Sequence, residues 1–562
     1  GLGSPSLVPI PHSDFIFAAI SEEAGLVGGI ALLIILGLIA QRGLMITMKV
    51  DRIFHRYLAA GLTSYLIFQS LLIIGGNLRL LPLTGVTLPF VSYGGSSLLT
   101  SFITLLILLL ISSRSRKTSP AKVSLVPYSH LGSIYFGGVM LIAFGLGWWA
   151  FVRGPDLLTR TDNPRRAISD RFVQRGSIID RNNSPINVSI GSPGDYQRIY
   201  FYPELSGTAG YTSSVYGQSA LEASMDPVLR GLEGNPGLTI WWNHLLYGQP
   251  PSGLDIRTTI NLDYQELADQ AMSEYIGAVV LLDAENGEIL TISSHPSFDA
   301  NELDEIWGDL INDADAPLVN RVTQRLYSPG TALAPLILAR AIETGELDPS
   351  ALDNDLDLDP GACALPLDIE TWGDMLRAGC SGSAAYLGER LGEDSLLDLY
   401  RSAGLFESPR IQLPGESMAE PDEISDPGLV ATGEGVQFSP LQIALALSAL
   451  SAEGIKPAPL LVGAIDSPRL GWLPQTADGN SSSLISLQSA LVTSLLLQRD
   501  RLPVWESAAL GSPMDENDRS VALYLSGTTA DWAGPSLILV VILEDLQPEK
   551  AVEIGQNLWG SY

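Results

Sequence analysis

The chain has 562 residues, of which 46% are hydrophobic, and a formal net charge of −30 at pH 7. A single hydrophobic core rarely grows beyond about 250 to 300 residues, so this length predicts several domains. The negative charge argues against nucleic acid as a partner, because phosphates would be repelled. The mean hydropathy of +0.22 is high for a soluble protein, and its excess lies at the N-terminal end.

Four apolar runs predict membrane-spanning helices. A bilayer takes about 20 apolar residues to cross, and these runs reach or approach that length. Buried helices of a soluble core are the alternative, but such helices are usually shorter and more amphipathic. The runs cover residues 24–40, 57–76, 98–111 with an apolar approach from 87, and 134–152.

Basic side chains mark two loops between these runs as cytoplasmic. Residues 42–56 hold four basic side chains against one acid, and residues 114–122 hold four and no acid. By the positive-inside rule, Gly1 and everything after Val152 then lie outside the cytoplasm. Residues 153–562 carry 23 basic and 58 acidic side chains. We interpret this charge as favouring solubility, or adaptation to a particular medium, rather than as a binding function.

Two cysteines, Cys363 and Cys380, both fall in the outward part. That compartment permits a disulfide, but two cysteines do not form a framework, so a bridge and two free thiols are equally open. The five histidines show no metal-ligand spacing. The first residue is Gly and there is no signal peptide, so we expect a fragment or a product cut from a longer chain.

Three acids, Asp14, Glu22 and Glu23, lie at the outer edge of the first membrane run. Carboxylates at that depth are costly unless they face a polar cavity or a partner, so each is a functional candidate. Acids held at the interface with their heads in water are the alternative.

Three blocks resemble the last three membrane helices of the SEDS family, FtsW, RodA and SpoVE. They are His12-Ser-Asp-Phe-Ile-Phe-Ala18, Glu22-Glu-Ala-Gly-Leu-Val-Gly28 and the long, specific Leu81-Pro-Leu-Thr-Gly-Val-Thr-Leu-Pro-Phe-Val-Ser-Tyr-Gly-Gly-Ser-Ser97. That family polymerises lipid-linked disaccharide-pentapeptide into glycan strands, and the resemblance implies Asp14 as the catalytic residue of glycosyl transfer. The match covers the C-terminal part of the family only, and three isolated helices would lack most of the substrate cavity.

The segments after the fourth run predict an elongated, β-containing module. Gln174-Arg-Gly-Ser-Ile-Ile-Asp-Arg-Asn-Asn183 is typical of extended segments joined by a turn, and residues 208–217 are rich in small residues and turn formers. These blocks resemble the N-terminal pedestal of class B penicillin-binding proteins, especially the division-associated type.

From Leu254 the pattern is that of a compact α/β domain. It predicts strands over 256–262, 277–283, 288–294 and 536–543, a hairpin turn at 286–287, and helices over 263–275 and from about Pro548. Strands, then helices, then strands again favour a sheet covered by helices. The same order is that of the transpeptidase fold.

The predicted fold is therefore multi-domain: an α-helical membrane region, an extracytoplasmic β-containing pedestal and an α/β penicillin-binding transpeptidase-like domain. The predicted boundaries are 1–115 for the SEDS-like helices, 116–132 for a cytoplasmic linker, 133–153 for a transmembrane anchor, 154–253 for the pedestal and 254–562 for the transpeptidase-like domain.

The stretch Tyr327-Ser-Pro-Gly-Thr-Ala-Leu-Ala-Pro335 resembles the nucleophile motif of penicillin-binding transpeptidases, Pro-Gly-Ser-x-x-Lys. Thr331 replaces the serine and Ala334 replaces the lysine. A hydroxyl is a poor nucleophile until a base takes its proton, and in that class the lysine one helical turn away is central to this step. Without a base in reach, Thr331 would act about 10²- to 10⁴-fold more slowly.

The two other motifs of that class are altered as well. Gly379-Cys-Ser381 takes the position of Ser-x-Asn, so Gly379 and Ser381 replace its functional ends. Leu525-Ser-Gly-Thr-Thr-Ala530 takes the position of Lys-Thr-Gly-Thr-Ala, with Leu525 for the lysine, Ser526 for the threonine, and Gly527 and Thr528 after them. Those motifs supply a proton shuttle and the cation that grips the substrate carboxylate.

The packing segments, by contrast, are intact. Residues 431–450 match the family's helix and its preceding loop almost throughout, with a Ser-Pro helix start at Ser439. Loss confined to functional groups predicts a folded but inactive transpeptidase-like domain, and misaligned short motifs are the alternative.

The leading hypothesis is peptidoglycan synthesis at the bacterial cytoplasmic membrane. A SEDS-type glycosyltransferase module would be fused to an inactive transpeptidase-like domain that activates or scaffolds it, since fusion raises effective concentration. A non-catalytic membrane scaffold of the division or elongation machinery is the alternative, and an active transpeptidase with unusual motifs is a third reading. The expected partners are the lipid-linked peptidoglycan precursor, membrane lipids and division or elongation proteins. The residues indicate no cofactor or metal, and a divalent cation for the polymerase reaction is not readable from them.

Overall fold

The computed structural model of the chain describes residues 14–114, 126–153, 172–213, 215–247, 251–348, 361–366, 369–421, 426–499, 502–512 and 519–561. The predicted linker from 116 to 125 and the first part of the predicted pedestal, 154–171, lie outside the described residues. The chain forms two compact units, Gly1–Asp170 and Arg171–Tyr562.

The first unit is helical. Four of its helices are long and apolar enough to cross a membrane, which confirms the four predicted runs as helices of spanning length. The helices are α1 (Ile16–Glu23), α2 (Gly25–Lys49), α3 (Ile53–Asn77), α4 (Gly95–Arg114) and α5 (Val126–Trp148).

Helix α5 covers residues 133–148 of the predicted anchor and begins seven residues before the predicted start at 133. Pro127 fits the first turn of a helix, where no backbone N–H is needed, so the helix can begin at Val126. A π-helical turn, Trp149–Arg153, follows α5.

Within this unit, α5 packs against the SEDS-like helices. Ile142 and Leu146 of α5 are buried in one cluster with Leu33 of α2 and Ile73 of α3. The anchor is therefore an integral part of the helical bundle in this unit.

The second unit contains two main sheets. Its strands are β1 (Ile178–Ile179), β2 (Pro185–Ile190), β3 (Gln197–Tyr200), β4 (Thr212–Ser213), β5 (Gly217–Gln218), β6 (Ile256–Thr258), β7 (Gly277–Asp283), β8 (Ile289–His295), β9 (Ile455–Lys456), β10 (Val462–Ser467), β11 (Gly471–Pro474), β12 (Ser482–Ser483), β13 (Val504–Gly511), β14 (Val521–Thr528) and β15 (Leu537–Leu543). Its helices are α6 (Ser206–Ala209), α7 (Ala220–Ser224), α8 (Asp226–Leu229), α9 (Gly237–Tyr247), α10 (Leu262–Met272), α11 (Leu303–Leu310), α12 (Ala334–Thr344), α13 (Trp372–Arg377), α14 (Ser381–Leu391), α15 (Glu393–Ser402), α16 (Pro427–Ala431), α17 (Pro440–Leu447), α18 (Leu487–Leu496) and α19 (Pro548–Trp559).

The larger domain is built on an antiparallel sheet in the order β13-β14-β15-β7-β8. Successive residues of β15 point to opposite faces, so Ile538 and Val540 join the core on one side and Leu539 and Val541 join the core on the other. Helices α12 and α17 cover the first face, and α10 and α19 cover the second. This confirms the predicted sheet with helices on it, and β13 is an edge strand.

The pedestal is joined to this domain by a mixed sheet in the order β11-β10-β6-β1-β2-β3. Strand β1 pairs in parallel with β6, which lies just beyond the predicted end of the pedestal at 253. The predicted strand over 256–262 is shorter in the structure, because α10 already begins at Leu262 with Asn261 as its N-cap.

A buried ion cluster fixes the pedestal. Nε of Arg175 donates to Glu222 at 2.5 Å, and Nε of Arg198 donates to the other oxygen of the same carboxylate at 2.7 Å. Nδ2 of Asn187 also donates to Glu222, at 3.1 Å. Burial raises the pKa of Glu222, but the guanidinium groups of Arg198 and Arg175 outweigh it, so the net pKa is lowered.

Glu222→Gln should destabilise the second unit by about 3 to 5 kcal/mol, because it leaves the buried guanidinium of Arg198 without its carboxylate and leaves Arg175 with Asp226 alone. A lowered pKa stabilises the fold above the unfolded value of about 4.3, and this stabilisation is lost as the pH falls through the folded pKa. Between pH 7 and pH 3, the free energy of unfolding measured with urea should therefore fall more steeply for the parent than for the Glu222→Gln variant. Equal stability of the two proteins at pH 7 would contradict this role.

Candidate functional site

Asp14, the predicted residue of glycosyl transfer, lies beside the long SEDS-like block. A Cβ placed on Gly85 would lie 3.8 Å from Oδ2 of Asp14. Nδ2 of Asn77, at the end of α3, donates to the backbone carbonyl of Asp14 at 2.9 Å. The structure thus brings the first and third blocks of the resemblance together.

The block itself is a loop held by side chains. Nε2 of Gln69 donates to the carbonyl of Thr87 at 2.7 Å, and the hydroxyl of Thr87 donates to Ser97 at 2.6 Å. Oγ of Ser92 accepts from the backbone N–H of Leu88 at 2.8 Å. Gln69 is a supporting residue that the motif comparison missed, because it lies on α3 and outside the matched blocks.

Thr331 lies in the loop that leads into α12. It is 6% exposed, and its Oγ1 is buried without a hydrogen-bond partner among the described residues. Ala334 is the first residue of α12 and belongs to the core, with 2% exposure. Ala334 offers no amine that could take a proton from Thr331.

Three glycines with positive φ pack around Thr331: Gly330, Gly379 and Gly433. A Cβ on Gly379 would lie 3.1 Å from Oγ1 of Thr331, so the structure brings the first two predicted positions together. A Cβ on Gly433 would lie 2.4 Å from the nitrogen of Gly330. Side chains are excluded at these positions, so backbone packs directly on backbone.

The same glycines cover the edge strand β13. A Cβ on Gly330 would lie 2.0 Å from the carbonyl oxygen of Leu510, and a Cβ on Gly379 would lie 2.1 Å from that of Ala508. Carbonyls two residues apart point the same way from a strand, so both belong to the side of β13 that does not pair with β14. The chain's own loops therefore occupy the edge of the sheet beside Thr331.

The third predicted position lies elsewhere. Leu525 is on β14, opposite Ser507 of β13, and is buried in the core. The hydroxyl of Ser526 donates to the carbonyl of Trp505 at 2.7 Å. Gly527 lies against the side chains of Trp505 and Ser451.

The side chain of Thr528 is likewise engaged within the sheet, because its Oγ1 accepts from the backbone N–H of Leu537 at 3.0 Å. The placement of the third motif at 525–528 is thus corrected. The strand beside Thr331 is β13, whose residues there are Ala508, Ala509, Leu510 and Gly511. The motif match rested on the residues Gly-Thr-Thr-Ala alone. The position of a strand in a sheet is set by pairing partners far away in the sequence, which a short motif does not show.

Ser381 and the cysteines form a separate substructure beside Gly379. Cys363 and Cys380 are joined by a disulfide with an S–S distance of 2.02 Å, which decides the open alternative. The backbone N–H of Ser381 donates to the carbonyl of Ala362 at 2.8 Å, and its Oγ accepts from the N–H of Ala362 at 3.1 Å. Ser381 thus holds the 361–366 loop.

Arg321 and Glu544 anchor the start of the nucleophile-like stretch. The Tyr327 hydroxyl donates to Oε1 of Glu544 at 2.9 Å, and Nε of Arg321 donates to the same oxygen at 2.8 Å. Burial and the Glu544 carboxylate raise the pKa of Tyr327 well above its ordinary value. The two charges lie 223 residues apart in sequence, so no local pattern could reveal them.

Gly379→Ala should destabilise the second unit by about 3 kcal/mol or more, because a positive φ and a clash with the Ala508 carbonyl act together. Gly345→Ala is the matched control. Gly345 has a φ of +76° and nothing within 4 Å of a Cβ, so it isolates the backbone cost of about 1 kcal/mol. Equal unfolding midpoints in urea for the two variants would contradict close packing at Gly379.

The fold and the site define a class: a chain with helices able to cross a membrane, followed by a domain of the penicillin-binding type. Family models match residues 3–117 (cell cycle protein, FtsW/RodA/SpoVE), 175–256 (penicillin binding protein A dimerisation domain) and 277–488 (penicillin binding protein transpeptidase domain). The chain therefore carries a FtsW/RodA/SpoVE segment together with dimerisation and transpeptidase domains of penicillin-binding proteins.

Similar proteins fall into two groups. The peptidoglycan glycosyltransferase RodA of Mycobacterium tuberculosis is 47% identical over 117 residues, which are 21% of this chain and 25% of RodA. The chain thus spans about a quarter of the length of the RodA relatives it matches. The peptidoglycan D,D-transpeptidase PbpA of the same species is 25% identical over 385 residues, 62% of this chain and 77% of PbpA.

Solved structures show the fold of the second unit. The crystal structure of penicillin-binding protein A from M. tuberculosis is 24% identical, covers 69% of this chain and 98% of its own, and gives a TM-score of 0.59. The penicillin G acyl-enzyme complex of that protein covers 69% and 99%, at 24% identity and a TM-score of 0.58.

Among the described residues, no group of three histidine, cysteine or carboxylate side chains could hold a metal ion.

Proposed function

We propose that this protein takes part in peptidoglycan synthesis at the bacterial cytoplasmic membrane. Its FtsW/RodA/SpoVE segment serves glycosyl transfer, with Asp14 as the catalytic group. Its transpeptidase-like domain performs no acyl transfer and instead activates or scaffolds the polymerase. The 47% identity to RodA across the whole segment supports the first part.

The buried hydroxyl of Thr331, which has no partner among the described residues, is the observation that carries the second part. An acyl transferase needs a nucleophile that both a base and the substrate can reach. The base position holds Ala334, and the shuttle position holds Gly379. No group at these two positions can take the proton.

The covered edge of β13 supports the same conclusion. An extended peptide substrate would add to an exposed sheet edge through main-chain hydrogen bonds. The backbones of Gly330 and Gly379 already lie against the carbonyls of that edge. Strand β13 also offers no cation, because residues 507–511 read Ser-Ala-Ala-Leu-Gly.

The packing of α5 supports coupling between the modules. Because α5 shares a core with α2 and α3, movement of the anchor would be felt by the SEDS-like helices. Fusion of the modules also fixes their ratio at one to one and keeps their effective concentration high.

A non-catalytic scaffold of the division or elongation machinery is the second candidate. The loss of the base and shuttle groups at Ala334 and Gly379 favours it, because a domain without those groups can still offer a binding surface. Both candidates keep the transpeptidase-like domain inactive, and they differ only in whether glycan is made.

The deciding experiment is polymerisation by the native gene product in bilayers containing lipid-linked disaccharide-pentapeptide, run with and without excess penicillin. We expect glycan strands that penicillin neither shortens nor alters, and that carry no peptide cross-links. Absence of polymer would favour the scaffold, whereas cross-links that penicillin abolishes would overturn the inactive transpeptidase.

A further inference from the structure

Helix α9 of the pedestal is short, apolar and outside the hydrophobic cores of the second unit. It reads Gly-Leu-Thr-Ile-Trp-Trp-Asn-His-Leu-Leu-Tyr. Among residues 237–243, whose side chains the structure describes, none belongs to a hydrophobic core. A helix of 11 residues is too short to cross a bilayer, which takes about 20. An apolar helix of this length that is not part of a core is typical of a segment at a membrane interface.

The exposed side chains of α9 share one face. Leu238 is 75% exposed, and Trp241 and Trp242, which follow it by three and four residues, are 53% and 51% exposed. The centroids of the two tryptophan rings lie 5.9 Å apart. Thr239 and Asn243 lie on a different side of the helix, and both are partly buried. The helix therefore presents its large apolar groups to the outside and its neutral polar groups elsewhere.

Hydrogen bonds hold the start of α9 on the pedestal. The backbone N–H of Thr239 donates to the carbonyl of Pro236 at 2.8 Å, and Nδ2 of Asn235 donates to the carbonyl of Gly231 at 3.1 Å. The N–H of Gly231 donates in turn to the carbonyl of Val228, whose side chain is in the core. The apolar face of α9 is therefore a built surface of the pedestal.

No charge interrupts this part of the chain. Residues 235–254 contain no Asp, Glu, Lys or Arg, whereas residues 153–562 average about one charged side chain in five. Charged side chains are costly in the lipid phase, so a charge-free stretch suits a bilayer surface. A second copy of the chain is a poorer occupant of this face. Residues 153–562 hold 23 basic and 58 acidic side chains, so two copies would repel each other.

The chain itself keeps α9 near a bilayer. Helix α5 is long and apolar enough to cross a membrane, and the π-helical turn after it ends at Arg153. The 18 residues from 154 to 171 then lead to the second unit, and 18 residues span at most about 65 Å. This tether gives the bilayer a high effective concentration at α9, so that a modest affinity is enough for binding.

We infer that α9 docks on the surface of the bilayer that holds the apolar helices, with Leu238, Trp241 and Trp242 at the level of the lipid head groups. Tryptophan is enriched at such interfaces, because its ring is apolar and its indole N–H can still reach a polar partner. The pedestal is then attached to the bilayer at two points, the covalent tether and α9. This inference does not depend on glycan synthesis.

The test measures the depth of a nitroxide label by electron paramagnetic resonance, on the full chain in phosphatidylcholine nanodiscs that hold one chain each. Cys363 and Cys380 are joined, so the new cysteine of Leu238→Cys takes the label alone. Leu546→Cys is the matched control, because Leu546 is also exposed, at 59%, but lies beside the acidic Asp545. Oxygen concentrates in lipid, whereas a polar nickel chelate stays in water. The ratio of oxygen to nickel-chelate collision rates should be several-fold higher at 238 than at 546.

Trp241→Glu combined with Trp242→Glu should lower this ratio at 238 to the value at 546, because two carboxylates disfavour the lipid surface. Both tryptophans lie outside the cores, so the fold should be kept. Equal ratios at 238 and 546 in the parent would overturn the inference. Exclusion of both reagents from the label at 238 would also overturn it, because protein would then cover the face. Exclusion seen only in nanodiscs with two chains would assign the face to a second copy instead of lipid.

Discussion

A fluorescent penicillin should leave this chain unlabelled under conditions that fully label penicillin-binding protein A of M. tuberculosis. Loss of the general base alone lowers the rate about 10²- to 10⁴-fold, and burial of the Thr331 hydroxyl adds to that. The measurement is in-gel fluorescence of the full chain after labelling, with the acylating relative beside it.

Restoring the missing groups should not restore acylation. In a Thr331→Ser, Ala334→Lys double variant the hydroxyl and amine are present, but the edge of β13 is still covered by Gly330 and Gly379. The new ammonium also replaces a 2%-exposed core side chain, so we expect lower stability together with no label. A stable label on the parent that Thr331→Ala removes would show that the cleft does acylate.

The elements that could be predicted from sequence are those whose pattern is local. Strand β7 was predicted residue for residue over 277–283, and β15 within one residue, because runs of Val, Leu and Ile between turn signals are typical of strands buried on both faces. The membrane helices were predicted for the same reason, since length and apolarity are properties of a single segment.

The predictions that were wrong or left open concern residues whose position depends on partners far away in the sequence. The letters at 525–528 resemble a Lys-Thr-Gly-Thr-Ala strand, yet pairing within the sheet gives the position beside Thr331 to β13. The disulfide needs the 361–366 loop to fold back onto Ser381, which a spacing of 17 residues does not reveal. Glu222 was not predicted to be buried, because only its two arginine partners make burial tolerable.

Asp14→Asn should abolish glycan polymerisation by the native gene product, with a loss of at least about 100-fold. The amide keeps the shape of the carboxylate but carries no negative charge and cannot accept a proton. The backbone of Asp14 is held by Asn77 and should stay in place, so the loss would report on the carboxylate itself. The measurement is the rate of strand formation from lipid-linked precursor in bilayers.

Asp51→Asn is the matched control, since Asp51 lies in the predicted cytoplasmic loop between α2 and α3 and should leave the rate within about two-fold of the parent. Asn77→Ala should give a smaller loss than Asp14→Asn, because it releases the backbone that positions the carboxylate while leaving the charge. If Asp14→Asn polymerises at the parental rate, the catalytic acid lies elsewhere and the contact between Asp14 and the Gly85 loop is structural. A loss in both Asp14→Asn and Asp51→Asn would point instead to a general effect of charge on insertion of the helices, which the amount of folded protein in the membrane would reveal.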